Sequence, residues 1–187
     1  LKASDFEQLA LKTFRYQANY NLVYNQYLHF LHVNPDAIDK VTEIPFLPIQ
    51  FFKNHTVQTG MPPAASAVFQ SSGTTGQQTS SHHLFDAPLY KDVSTRIFQE
   101  HYGDLKHFHI LALLPSYLER NNSSLVYMMQ HFIESSQSEY SGFYLDNVNE
   151  MLQKLRFLAD NPDGKNILLL GITFALLNLA ESNEDLS

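Results

Sequence analysis

Residues 107–114 hold a continuous apolar run centred on Ile110-Leu111-Ala112-Leu113-Leu114. A run this short, with no polar alternation, leaves no face for water and predicts a strand covered on both sides. Its surroundings offer that cover, because from residue 66 onward short apolar strands alternate with amphipathic helices. Strands are expected at 66–70, 79–85, 142–145 and 167–170. Asp86 is placed to cap a helix whose apolar positions Leu89, Val93 and Ile97, with His101, recur at four-residue steps. Asn122 or Ser123 opens a second helix through Leu125, Met128, Phe132 and Ile133. Asp146 or Asn147 opens a third, with Val148, Met151, Leu155 and Leu158 on one face, and 172–181 reads as a fourth. Such alternation predicts an α/β fold with a mostly parallel sheet and ligand sites at the carboxyl ends of its strands.

The first 65 residues differ in texture. Positions 4–33 read as one helix, with Phe6, Leu9, Tyr16, Tyr20, Val23, Tyr27 and Phe30 at helical steps on one side. The simplest reading of that stripe is core packing. Asn34-Pro35 ends it, and 44–53 follows as an extended, proline-pinned run. The expected organisation is a helical, proline-rich segment at 1–65 and an α/β region at 66–187.

Composition narrows the classes of function. There are no cysteines, so disulfides, thiolate metal sites and a cysteine nucleophile are absent from these residues. Without an argument for an oxidising compartment, the expected location is the cytoplasm. Twelve Lys+Arg against nineteen Asp+Glu leave a net charge of −7, unsuited to broad binding of nucleic acid or anionic membrane. No membrane span is expected, since the apolar stretch 167–177 is interrupted by Gly171 and Thr173 and is short of about 20 residues. Asp5 and Glu7 stand where a signal peptide would need apolar residues.

One segment carries chemistry. Ser71-Ser72-Gly73-Thr74-Thr75-Gly76 follows an expected strand and collects four hydroxyls and two glycines. Glycine lets backbone N–H groups converge on an anion, and small hydroxyl side chains add donors without bulk, which is what a phosphate needs. A surface turn rich in small polar residues would look similar. The loop lacks the Gly-Lys-Ser/Thr ending of a Walker loop, with Gln77 where a lysine would help. A flavodoxin-type loop would run directly into a helix, whereas 79–85 has strand character. A hydroxyl-glycine loop between two strands suits a transient grip on a nucleotide triphosphate.

The histidines suggest no transition-metal site. His82 and His83 are adjacent and should point to opposite faces of a strand. His29 and His32 share a helix face without a third ligand, and His107 and His109 share a strand face as half a site at most.

The loop Ser71-Ser72-Gly73-Thr74-Thr75-Gly76 resembles the phosphate loop of adenylate-forming enzymes. Further segments resemble the acyl-protein synthetase family of that superfamily, the bioluminescence type of which supplies fatty acid to a reductase complex. They are Ile44-Pro45-Phe46-Leu47-Pro48-Ile49-Gln50-Phe51-Phe52-Lys53, Leu114-Pro115-Ser116-Tyr117-Leu118-Glu119-Arg120, Ser123-Ser124-Leu125-Val126-Tyr127-Met128 and Leu169-Leu170-Gly171-Ile172-Thr173-Phe174-Ala175-Leu176-Leu177. The resemblance runs from about Pro45 to the C-terminus.

It implies a two-step reaction: a fatty acid carboxylate attacks the α-phosphate of ATP with Mg2+ present, and the acyl group then passes from AMP to a protein thiol. Carried over, Ser71, Ser72, Gly73, Thr74, Thr75 and Gly76 would close over the β- and γ-phosphates. Ser116 and Tyr117 would lie beside the substrate carboxylate, and Gly171, Ile172 and Thr173 would line the acyl or nucleotide pocket. Read without the resemblance, Ser116-Tyr117 is a helix-entry turn and Gly171 a tight strand-to-helix turn. An acyl-accepting or reductase protein is the implied partner. Gln77 forfeits the positive charge many superfamily members carry after the loop. The acceptor cysteine and the acidic ribose-binding, hinge and lysine signatures have no counterpart here. The expectation is therefore the N-terminal part of such an enzyme, inactive by itself. The rival expectation is a nonenzymatic remnant that binds a nucleotide or partner.

Overall fold

The computed structural model describes residues 3–61, 63–71, 79–115 and 122–182. Among them are seven α-helices and five strands, a mixed α/β composition. The chain divides into two compact units, Leu1–Phe85 and Asp86–Ser187. The strands near residues 70 and 80 thus group with the helical segment, whereas the composition shift suggested a boundary at 65/66.

In the first unit, α1 (Ala3–Tyr20) and α2 (Leu22–Phe30) replace the single helix expected over 4–33. Asn21 makes the break. Its backbone is extended (φ −100°, ψ 106°), and its side chain accepts the Tyr24 N–H at 3.1 Å, capping α2. It also donates to Thr59 Oγ1 at 3.3 Å and is itself buried. A buried cap with two partners favours the break over a continuous helix, since asparagine competes with helical backbone through its own amide. Asn21→Ala should lower stability by about 1–2 kcal/mol, read as a reduced thermal midpoint; an unchanged midpoint would show that the cap is idle.

The break also decides which face is buried. The residues packed inside are Phe14, Ala18, Tyr24 and Leu28, with Tyr27, Val33, Ile38, Ile44 and Leu47 against them. The stripe read as core is largely exposed: Phe6, Leu9, Tyr16, Tyr20 and Phe30 all keep more than half their surface in water. Phe14 and Ala18, four residues apart, lie on the other side of α1 and pack edge-on against α2, with the Phe14 and Tyr24 rings 6.1 Å apart. Tyr24 donates its hydroxyl to Pro45 O at 2.7 Å, fastening the proline-pinned run. Burial, chiefly, and neighbouring Tyr27 push this phenol up to about 12, so it remains a donor. After α3 (Phe51–Asn54) come β1 (Ala67–Gln70) and β2 (Ser81–Leu84), paired antiparallel from Ala67↔Leu84 to Gln70↔Ser81.

The second unit contains α4 (Ala87–Tyr102), β3 (Phe108–Leu113), α5 (Ser124–Ser136), β4 (Gly142–Phe143), α6 (Val148–Asp160), β5 (Asn166–Gly171) and α7 (Thr173–Glu181). Its sheet has the order β4-β3-β5, and both pairings are parallel. Parallel pairing therefore holds for these three strands, while β1 and β2 form a separate hairpin. Strand β3 is central and buried at all six positions, as its unbroken apolar run predicts. Period-two alternation splits its side chains. Phe108, Ile110 and Ala112, with Leu114 just beyond, pack on Met129 and Phe132 of α5; Leu111 and Leu113 pack on Met151 and Leu152 of α6 and Leu179 of α7.

Helix α4 corrects a second stripe. Asp86 does cap it, accepting the Leu89 N–H at 2.9 Å. Leu89, Val93 and Ile97, however, are exposed. Aromatic bulk decides the orientation: Phe98 meets Phe108 and Phe132 with ring centroids 5.3 and 5.2 Å apart, and Tyr90 meets Tyr127 at 5.7 Å. These rings gain more by packing than the narrower aliphatic stripe. Among the described residues no helix is long and apolar enough to cross a membrane.

Candidate functional site

The hydroxyl-rich segment lies in sequence between β1 and β2, which pair with each other. Its neck is closed by Ser71, whose N–H donates to Ser80 O at 3.0 Å while its Oγ accepts the Ser80 N–H at 3.1 Å. Ser71 therefore closes the neck, and a hydroxyl that accepts one hydrogen bond can still donate one. Ser72, Gly73, Thr74, Thr75 and Gly76 lie outside the described residues, as do Ser116 and Tyr117.

The strand leaving the loop also borders a cavity of about 800 Å³ within the first unit. His82, His83 and Phe85 form one side. Phe6, Leu9, Ala10, Thr13, Phe14 and Gln17 of α1 form another, and Ile44, Phe46, Leu47, Phe52 and Val57 complete the apolar lining. The size lies within the range of small-molecule sites, and so does the mixture of an aromatic wall with a few polar groups. The cavity explains why Phe6 and Leu9 are exposed although α1 is amphipathic: they face its space. Sequence reasoning missed this site by treating the aromatic stripe as core. The overlooked signal is the polar series Thr13, Gln17 and Asn21, which interrupts an otherwise core-like helix face at four-residue steps. A helix packed tightly against a neighbour would fill that series with apolar residues.

Gly171, Ile172 and Thr173 belong to the second unit, at the carboxyl end of β5 and the start of α7. Ile172 and Thr173 are exposed there. Gly171 pairs with Leu113, and a Cβ built on it would stand 3.0 Å from Leu113 Cβ and 3.0 Å from Leu176 Cγ. These contacts are tighter than ordinary van der Waals contact, so close packing is a sufficient reason for glycine at this turn.

Among the described residues, no group of three or more His, Asp or Glu could hold a metal ion. His107 sits in a 3-10 turn, Leu105–His107, before β3, and buried His109 is bonded to Ser138 and Asp163, so the two do not form half a metal site. Comparison of the chain with protein-family models, with curated proteins and with solved structures finds no match in any of the three.

Proposed function

We propose that this chain supplies the triphosphate loop and the acyl pocket of an enzyme that activates a fatty acid carboxylate with ATP and then passes the acyl group to a protein thiol. In this reading the chain is part of the N-terminal domain of an adenylate-forming enzyme of the acyl-protein synthetase type. The observation that carries it is the apolar cavity on the same hairpin as the hydroxyl-rich loop. His82 lies two residues past Ser80, about 7 Å along an extended strand. A fatty acid with its tail among the phenylalanines and its carboxylate toward His82 would bring that carboxylate near triphosphate held by the loop. The acyl site is thereby moved from Gly171, Ile172 and Thr173 to the cavity of the first unit.

The chemistry follows from charge and leaving group. A carboxylate oxygen attacks the α-phosphorus, the bond to the bridging oxygen breaks, and pyrophosphate leaves with the electron pair. The acyl carbon then carries AMP, a far better leaving group than oxide. Two anions must be brought together, so positioning and neutralisation supply most of the acceleration. Mg2+ supplies charge neutralisation on the triphosphate; loop N–H and hydroxyl donors orient it. Since these residues include no cysteine, the acceptor thiol is external to them, in the remainder of the same enzyme, with an acyl-acceptor or reductase protein as the partner. ATP and reduced thiols place the reaction in the cytoplasm.

Replacing Thr74 and Thr75 together by alanine should weaken ATP binding on the order of 100-fold or more, because two lost charge-assisted hydrogen bonds at about 1.5–3 kcal/mol each sum to about 3–6 kcal/mol. The far-UV circular dichroism should not change. Unaltered ATP affinity, measured by calorimetry, would remove the phosphate-loop assignment.

A further inference from the structure

A second constellation occupies the other unit, at the amino-terminal edge of its parallel strands. His109, the second residue of β3, has a side chain only 3% exposed. Both ring nitrogens are engaged. Nδ1 lies 2.7 Å from Ser138 Oγ, and Nε2 lies 3.1 Å from Asp163 Oδ1. Ser138 follows the end of α5, and Asp163 lies in the turn before β5, so residues 29 and 54 positions from His109 converge on one imidazole. The edge of the ring is held by Tyr140, centroid to centroid 5.4 Å and nearly perpendicular; Tyr140 in turn stacks on Phe157 at 5.8 Å.

The hydrogen-bond directions are determined by chemistry. Asp163 also accepts the Lys165 N–H at 3.0 Å, and that bond, ahead of the one from His109, holds its carboxyl below the ordinary range. An ionised carboxylate only accepts, so Nε2 carries the ring hydrogen and Nδ1 presents a lone pair. Ser138 Oγ accepts the Tyr140 N–H at 3.1 Å, which leaves its own hydrogen for Nδ1. The hydroxyl, the imidazole and the carboxylate thus form a directed relay. The imidazole is buried, Ser138 is half-buried and Asp163 is exposed.

We propose that Ser138 is a nucleophile for activated carboxylic esters, with His109 as its general base and Asp163 as the positioning residue. In the step, Ser138 Oγ bonds to the ester carbonyl carbon as its hydrogen passes to His109 Nδ1. The resulting imidazolium keeps its Nε2 hydrogen bond to Asp163. Collapse of the tetrahedral adduct breaks the bond to the leaving oxygen, which takes the proton from Nδ1 and departs as the alcohol. Water, activated in the same way, releases the acid from the acyl-serine and restores Ser138. This site is at the edge of the sheet opposite Gly171 and does not depend on the ATP reading; failure of either leaves the other standing.

The test treats the 187-residue chain with an alkyl fluorophosphonate, from which a serine alkoxide displaces fluoride to leave a stable phosphonate ester, and locates the adduct by peptide mass spectrometry. One adduct at Ser138 is expected in the natural sequence and none in Ser138→Ala. Asp163→Asn should slow labelling on the order of 10-fold, because the amide oxygen, kept in place by the Lys165 N–H, still accepts from Nε2 but no longer supplies the negative charge that stabilises the imidazolium. Asp163 is exposed, so this variant keeps its near-UV circular dichroism and thermal midpoint. Absence of an adduct at Ser138 in the folded chain would overturn the proposal. So would labelling at an undiminished rate in folded Asp163→Asn.

Discussion

Gly171→Val should lower the unfolding free energy by about 2–3 kcal/mol, seen as an earlier urea midpoint, because the added carbons meet a packed interior. The nearest neighbour is Leu113 Cβ, an atom fixed to the backbone of the buried central strand, and the next is Leu176 Cγ. Leu113 Cβ cannot withdraw without moving β3, whereas Leu176 can turn its side chain only partly aside. Gly171→Ala should show a smaller loss of about 1 kcal/mol, since only one carbon is forced into the gap. An undisturbed midpoint in both variants would mean that the turn has slack and that glycine is present for another reason. The graded pair separates packing from ligand binding, which a single substitution would confound.

Thr13→Trp should abolish tight fatty acid binding without unfolding the chain. Thr13 is exposed on α1 and lines the cavity, so an indole there occupies ligand space and leaves the Phe14, Ala18, Tyr24 and Leu28 packing intact. In the unsubstituted chain, affinity should tighten about fourfold per added methylene, following about 0.8 kcal/mol for each buried CH2. Removing the space of four methylenes costs about 3 kcal/mol, or on the order of 100-fold in Kd. Titration of saturated fatty acids of increasing length against both proteins reads this directly. A flat dependence on length, or equal affinity in Thr13→Trp, would show that the cavity is not the acyl site.

The legible features were those governed by local pattern. Asp86 and Ser123 could be named as caps because a short acceptor preceding a periodic segment satisfies an orphan N–H, and both do so. Strand β3 announced its burial by having no polar face. Helix α6 buries Met151 and Leu158 as its spacing required, because no competing aromatic stripe crosses it. What was not legible depended on partners far along the chain. The α1–α2 break is favoured by Asn21 meeting Thr59, and the rotation of α4 by Phe98 meeting Phe108 and Phe132. In both helices, period counting found an apolar stripe, and tertiary packing chose a different face. The cavity was missed for a related reason: Phe6 and Leu9, which border it, have the same spacing as residues that border a neighbour. Of the expected site residues, Ser71 closes the loop neck and Gly171 lies tightly against Leu113 and Leu176, contacts that local pattern does not encode.

The central claim, activation of a fatty acid carboxylate with ATP, is tested most directly by pyrophosphate exchange. Labelled pyrophosphate is incubated with ATP, Mg2+ and a panel of fatty acids, using both this chain and the longest polypeptide that carries it. Label is expected in ATP only when a fatty acid is present, in the longer polypeptide, and is expected to be lost in Thr74→Ala with Thr75→Ala. No fatty-acid-dependent exchange in the longer polypeptide, while it binds ATP, would contradict it.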